Sequence, residues 1–135
     1  MRFSARIGFL ASLLPMVVGA TDLLSPGLTA EQVQEKLATP GALLVVDVRK
    51  PPEYAIAHIP GAVNIPLAEL PQRLNEVRSD SGVLVYCLNG SRTRKAEHIL
   101  YENNINDVYH LEGAFEMWLR DKYPIEKGGV KKSGW

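Results

Sequence analysis

Two runs of consecutive branched apolar residues stand out, Leu43-Leu-Val-Val-Asp-Val48 and Val83-Leu-Val-Tyr86. A strand with one wet face alternates apolar and polar residues, so continuous runs of this length read as strands buried on both faces. Asp107-Val-Tyr-His-Leu111 reads as a third strand. Between these runs the apolar spacing becomes helical. Thr29-Ala-Glu-Gln32 has the Thr-x-x-Gln form of a capping box, and Val33 and Leu37 follow at helical intervals until Thr39-Pro40-Gly41. Pro51 and Pro52 stop the first strand. The segment His58-Ile-Pro-Gly-Ala-Val-Asn-Ile-Pro66 reads as a loop around a short extended piece. Residues 67–77 read as one helix that Pro71 enters in its first turn. A further helix opens at Ser91, with Ala96, Ile99 and Leu100 on one apolar face, and ends at Asn103-Asn104. Gly113 then leads into a last helix over residues 114–119, closed by Pro124. Strands alternating with helical stretches predict an α/β fold, a central, mostly parallel sheet with helices on both faces. In such sheets ligands bind beyond the carboxyl ends of the strands.

The first residues differ in kind. Met1-Arg2-Phe3-Ser4-Ala5-Arg6 is short and basic, residues 7–18 are almost entirely apolar, and Val18-Gly19-Ala20 precedes the polar pair Thr21-Asp22. This is the layout of a secretory signal peptide over residues 1–20, cleaved after Ala20. A membrane anchor fits less well, because the run is shorter than the ~20 residues that span a bilayer and Pro15 interrupts it. No cysteine follows it to carry a lipid. The expected organisation is thus a leader (1–20), one domain (21–128) and a basic, glycine-rich tail (129–135) that frays. Hydrophobic residues make up 46% of the chain and charged residues 22%, which argues against disorder. Acidic and basic residues number 15 each, and loss of Arg2 and Arg6 with the leader tips the balance to acidic. Such a domain has no electrostatic footprint for nucleic acid, and without its leader no hold on a membrane.

Export sharpens the question posed by Cys87, the single cysteine. In an oxidising compartment a lone thiol forms no internal bridge, so it is a packed core group, an intermolecular partner or a reactive group. Its surroundings favour reactivity. Cys87-Leu-Asn-Gly-Ser-Arg92 joins the end of a strand to the start of a helix. Gly90 lets the backbone take a positive φ, so that successive N–H groups converge, and the helix N-terminus adds its free donors and positive dipole end. Such a focus stabilises an anion, whether thiolate, persulfide, sulfonate or phosphate. Arg92 and Arg94 add to the field. Asn89-Gly90-Ser91 also matches a glycosylation sequon, but a glycan there would block the pocket.

Four stretches, in order, resemble the rhodanese superfamily of sulfurtransferases, specifically its small single-domain periplasmic members of phage-shock type. Val45-Val-Asp-Val-Arg49 with Pro52-Glu53-Tyr54 is similar to the family's opening. His58-Ile-Pro-Gly-Ala-Val-Asn-Ile-Pro66 resembles its first signature. Val85-Tyr-Cys-Leu-Asn-Gly-Ser-Arg92 resembles its active-site loop, and Leu111-Glu-Gly-Ala-Phe-Glu-Met-Trp118 with Tyr123-Pro-Ile125 resembles its closing signature. One departure is Glu112, where the family often has the first of two glycines.

The resemblance implies a rhodanese-like fold and a two-step reaction without metal or organic cofactor. Cys87 takes the outer sulfur of an anionic donor such as thiosulfate and passes it from a persulfide to cyanide or a thiol. The loop N–H groups of Leu88, Asn89, Gly90, Ser91 and Arg92 stabilise the persulfide. Arg92, with Arg94, guides the donor. Asp47, a carboxylate inside an apolar strand, needs a partner. It is expected to brace the loop through Arg92, while Arg49 pairs with Glu53. His58 is expected to pack and hydrogen-bond rather than act as a base, and His98, His110 and Trp118 to be structural. The expected compartment is the periplasm, with a redox or sulfur-accepting protein as a further partner. Two other functions use the same loop. A persulfide carrier would load sulfur without turnover. A cysteine phosphatase would attack phosphorus, but superfamily members of that kind have one more residue between cysteine and arginine than the four here, Leu88 to Ser91.

Overall fold

The computed structural model describes residues 23–129. The expected leader, residues 1–20, and all of the expected tail except Gly129 lie outside that range. The described chain runs β1 (Gly27–Leu28), α1 (Ala30–Leu37), β2 (Leu44–Asp47), α2 (Pro51–Ile56), β3 (Val63–Asn64), two short 3-10 helices (Leu67–Gln72 and Leu74–Val77), β4 (Val83–Tyr86), α3 (Ser91–Glu102), β5 (Val108–Leu111) and α4 (Ala114–Arg120). The five strands form one sheet in the order β1-β5-β4-β2-β3, every neighbour parallel.

The two apolar runs are the centre of this sheet. Val45, Val46 and all of β4 are buried. Because strand side chains alternate, they feed two cores. Val45, Leu84 and Tyr86 pack with Val33, Tyr54, Phe115 and Trp118, whereas Val46, Val83 and Val85 pack with Leu70, Val77, Ala96 and Leu100. Helices α1, α2 and α4 therefore contribute to one core and α3 with the 3-10 turns to the other, and Cys87 belongs to the α3 side.

Several elements differ from expectation. The predicted helix over residues 67–77 is two 3-10 turns. Pro71 has no N–H to donate back to the preceding turn, and the segment closes with three-residue bonds, Arg73 N–H to Leu70 O at 3.0 Å and Glu76 N–H to Arg73 O at 3.0 Å. Pro51 and Pro52 do more than stop β2, because they open α2, whose first turn tolerates a missing N–H. The Glu53 carboxylate caps that helix by accepting the Lys50 N–H at 3.0 Å. The edge strand β1 is only two residues long and carries no pattern. A Cβ at Gly27 would lie 2.6 Å from the Glu112 side chain and 2.9 Å from the His110 ring, so a larger residue there would make those side chains shift.

The chain entering β1 is held by Glu97, which lies on α3 with no exposed surface. Its carboxylate accepts from the Leu24 N–H at 2.7 Å, the Ser25 N–H at 3.4 Å and the Ser25 hydroxyl. Ser25 Oγ also contacts His110 Nδ1 at 3.1 Å. Glu97→Ala would strand these donors in a dry site, and we expect it to lower unfolding free energy in urea by roughly 2–4 kcal/mol. A loss under about 1 kcal/mol would show that this anchor contributes little.

His58 packs and hydrogen-bonds. Its ring stacks on Tyr54 at 3.6 Å, Nδ1 lies 2.7 Å from Tyr54 O, and Nε2 lies 3.4 Å from Glu126 Oε2. Trp118 is core, with its indole N–H donating to Pro124 O at 2.8 Å.

Candidate active site

Cys87 follows the last residue of β4, at the carboxyl end of a central strand. The next turn is set by Gly90, whose φ of 96° lies in the left-handed region where a side chain is strained. In this turn the Gly90 N–H points at the thiol, with N and Sγ 3.1 Å apart. The Ser91 N–H is occupied elsewhere, donating to the Asn89 side-chain oxygen at 3.1 Å. Arg94 N–H donates to Gly90 O at 3.1 Å and closes the first turn of α3. Cys87 has no exposed surface, whereas Asn89 and Ser91 are exposed and Leu88 is half-buried on the α4 side.

Gly90→Ala tests the turn. Its Cβ would meet only Leu23 Cδ1 at 3.9 Å, an ordinary contact, so the penalty comes from φ. We expect about 1–2 kcal/mol of destabilisation, and a larger fractional loss of any Cys87 chemistry than of folded protein. Equal losses would mean that the Gly90 N–H does not serve the thiol.

A second backbone segment holds the loop from the side of α4. Gly113 and Ala114 both have positive φ, 75° and 54°. For alanine this is strained backbone, and it lies at the site. The turn brings the Phe115 N–H to Cys87 O at 3.0 Å and the Glu116 N–H to Leu88 O at 3.1 Å. The closing signature was visible in the sequence, but its role as a backbone clamp was not. Glu112 in place of glycine does not prevent the turn, since its N–H still pairs with Leu28 O at 2.9 Å.

The charged residues pair otherwise than expected. Asp47 does not reach the loop through Arg92, and Arg49 does not pair with Glu53. Fully buried Asp47 accepts from Arg49, at 3.0 Å and 3.1 Å from Nε and 2.7 Å from Nη2, and from the Arg49 backbone N–H at 2.9 Å. Two residues apart at the end of one strand, the two side chains form the shortest available pair. Arg49 Nη2 also donates to Ala57 O at 2.6 Å, and the guanidinium lies 4.4 Å from the Phe115 ring centroid and 5.7 Å from that of Tyr86. Burial opposes the Arg49 charge, but the hydrogen bonds and charge of Asp47 outweigh it and hold its pKa above the ordinary value. Asp47 therefore supports the loop from beneath, through Arg49 and the two aromatic residues beside Cys87. Burial, followed by the Asp47 charge, pushes the Tyr86 hydroxyl well above its ordinary range, and that oxygen accepts the Ile59 N–H at 3.1 Å.

Arg92 instead forms a two-pronged pair with Glu53, Nη1 to Oε2 at 2.7 Å and Nη2 to Oε1 at 3.0 Å. The Arg92 hydrogen bonds, against some desolvation, lower the Glu53 pKa to about 2. A depressed carboxylate contributes stability above its unfolded pKa and loses it as pH falls through the folded value. The pair thus holds across the neutral range and opens only in strong acid.

Among the described residues no group of three or more His, Cys, Asp or Glu side chains could hold a metal ion. A surface cleft of about 520 Å³ opens at the other end of β4, between Arg78, Asp80, Val83, Asn104 and Asp107, away from the thiol.

Known proteins resemble this chain in sequence and in fold. The sequence profile of the Rhodanese-like domain matches residues 29–121. A sulfurtransferase of Allochromatium vinosum is 33% identical over 96 residues, covering 71% of this chain and 90% of its own length. The thiosulfate sulfurtransferase GlpE of Pseudomonas fluorescens is 36% identical over 83 residues, covering 62% and 75%. The uncharacterized protein YqhL of Bacillus subtilis is 45% identical over 74 residues, 55% of this chain, and the match spans only 59% of that protein. In structure, a rhodanese-related protein of Thermoplasma volcanium superposes with TM-score 0.66 at 28% identity, covering 75% of this chain and 97% of that one. A thiosulfate sulfurtransferase of Pseudomonas aeruginosa gives TM-score 0.70 at 29% identity over 82% of this chain, but only 22% of that larger protein. The parallel sheet, the ordered motifs and a profile match over most of the described residues lead to one assignment: the chain belongs to the rhodanese-like domain family.

Proposed function

We propose that this protein is a sulfurtransferase that carries sulfane sulfur as a persulfide on Cys87. The observation that supports this best is the 3.1 Å approach of the Gly90 N–H to Sγ at the carboxyl end of a central strand. In the first step the Cys87 thiolate attacks the outer sulfur of a donor such as thiosulfate. A new S–S bond forms, the donor's S–S bond breaks, and sulfite leaves with the electron pair. In the second step cyanide or a thiol attacks the outer persulfide sulfur and the Cys87 thiolate is released. The Gly90 N–H stabilises the persulfide charge most directly, with the other loop N–H groups between Leu88 and Arg92 in support except that of Ser91, which Asn89 holds. Since Cys87 is fully covered, donor contact requires the loop rim to give way.

The reading extends to the compartment: residues 1–20 direct export, and the domain works in the periplasm, handing sulfur to a small thiol or to a redox or sulfur-accepting protein. Steady-state thiosulfate:cyanide assays test the turnover. Sustained thiocyanate production is expected. A single equivalent per protein, and no more, would identify a carrier instead.

A further inference from the structure

Gly90 is buried although its neighbours Asn89 and Ser91 are exposed. The side chain facing it is Leu23, whose Cδ1 lies 3.9 Å from the point where a Cβ on Gly90 would sit. Elsewhere the loop is tied by polar bonds, Cys87 O and Leu88 O to the α4 turn and Arg92 to Glu53 on α2. On the Gly90 side the contact is apolar and comes from the segment that precedes β1. That segment is fixed by Glu97. Gly90 and Glu97 are seven positions apart along α3, about two turns, and so share one face of the helix. Helical side chains lean toward the N-terminus, which brings the Glu97 carboxylate back along that face toward Gly90. Without exposed surface, it takes the Leu24 N–H at 2.7 Å, the Ser25 N–H at 3.4 Å and the Ser25 hydroxyl. The β5 strand grips the same segment through His110. The His110 N–H donates to Pro26 O at 3.0 Å, and Nδ1 lies 3.1 Å from Ser25 Oγ. With Leu24, Ser25 and Pro26 all held, the backbone sets Leu23 against Gly90. Glycine has the widest backbone freedom, so the geometry of its turn depends on what packs against it.

We propose that Leu23 is a positioning residue for the Cys87 loop, set in place by Glu97, and that it keeps the Gly90 N–H on Sγ. Its part in turnover rests on the sulfur-transfer reading above. The Gly90 N–H, 3.1 Å from Sγ, stabilises the persulfide formed in the first step and the thiolate released in the second. A loosened turn therefore slows the chemistry. Since Leu23 acts through the turn, the loss falls on the rate of sulfur loading rather than on the donor concentration that half-saturates it.

Two measurements on wild type, Leu23→Ala and Leu23→Met test this. Leu23 belongs to neither core, so both variants should fold. The first measurement is amide hydrogen exchange by NMR. Leu23→Ala should speed exchange at Gly90 by about tenfold or more. Val83, whose N–H is held by Asp107 O at 2.9 Å, should keep its wild-type protection. The second is single-turnover sulfur loading from thiosulfate, followed by intact mass. Leu23→Ala should lower the maximal rate by about tenfold, part of the roughly 100- to 1,000-fold that outright loss of such a donor costs. The half-saturating thiosulfate concentration should stay within about twofold. Leu23→Met restores an apolar side chain of similar volume and should recover most of both readouts. A merely structural leucine would speed exchange at Gly90 and Val83 alike, and that result overturns the proposal. So does a loading rate that survives the loss of Gly90 protection, a defect that appears in half-saturation instead, or a methionine variant no better than the alanine one. Glu97→Gln added to Leu23→Ala should cost Gly90 little further protection relative to Val83, since both act through one contact. Full additivity overturns the part assigned to Glu97. If wild type gains no sulfur, the sulfur-transfer reading fails and the exchange result alone decides the positioning role. If it gains sulfur and Leu23→Ala matches it in exchange and loading, only the positioning role fails.

Discussion

Cys87→Ser protein is expected to make thiocyanate at least about 1,000-fold more slowly than wild type, with no sulfur bound to it. Serine keeps nearly the shape of cysteine in a fully buried site and can still accept the Gly90 N–H. The fold should therefore survive with a stability change of about 1 kcal/mol. The hydroxyl, by contrast, stays protonated at neutral pH and offers no nucleophile for a sulfane sulfur. Parallel urea titrations and rate measurements separate the two effects. A variant that is folded and retains more than a few per cent of the rate would move the chemistry away from Cys87.

The second large effect concerns stability. Asp47→Ala leaves the Arg49 guanidinium buried, without the carboxylate on which three of its side-chain hydrogen bonds converge. Removing one member of a buried pair typically costs about 3–5 kcal/mol, and roughly that loss is expected in urea unfolding. The double replacement Asp47→Leu with Arg49→Met removes both charges and should recover most of it, since apolar substitutes for buried pairs are often neutral or stabilising. If the double variant were as unstable as the single one, the penalty would lie in lost contacts to Ala57 O and Phe115 rather than in an uncompensated charge.

Much of the fold was legible because its central strands are buried on both faces. Residues 44–46 and 83–86 carry an unbroken apolar signal, the pattern expected of strands in a parallel sheet covered on both faces. The capping box at Thr29 and the turn at Gly90 were equally explicit, since each depends on residues a few positions apart. What escaped depends on distance or on context. β1 is two residues long and exists because β5 offers it an edge. Glu97 looks like any polar residue on a helix, and its burial follows only from the path of residues 24 and 25 across it. The charge pairing was inverted for a related reason. Sequence shows two acids and two arginines near the site, but the choice between Asp47–Arg49 with Glu53–Arg92 and the crossed alternative depends on α2 carrying Glu53 toward α3. That helix was itself hidden behind two prolines read as a stop.

The most direct measurement is the intact mass of the protein and of its Cys87→Ser variant, before and after thiosulfate. Persulfide transfer predicts a gain of about 32 Da on wild type, removed by cyanide, with no gain on the variant. A wild-type mass unchanged by thiosulfate, or the same gain on the serine variant, would contradict a Cys87 persulfide.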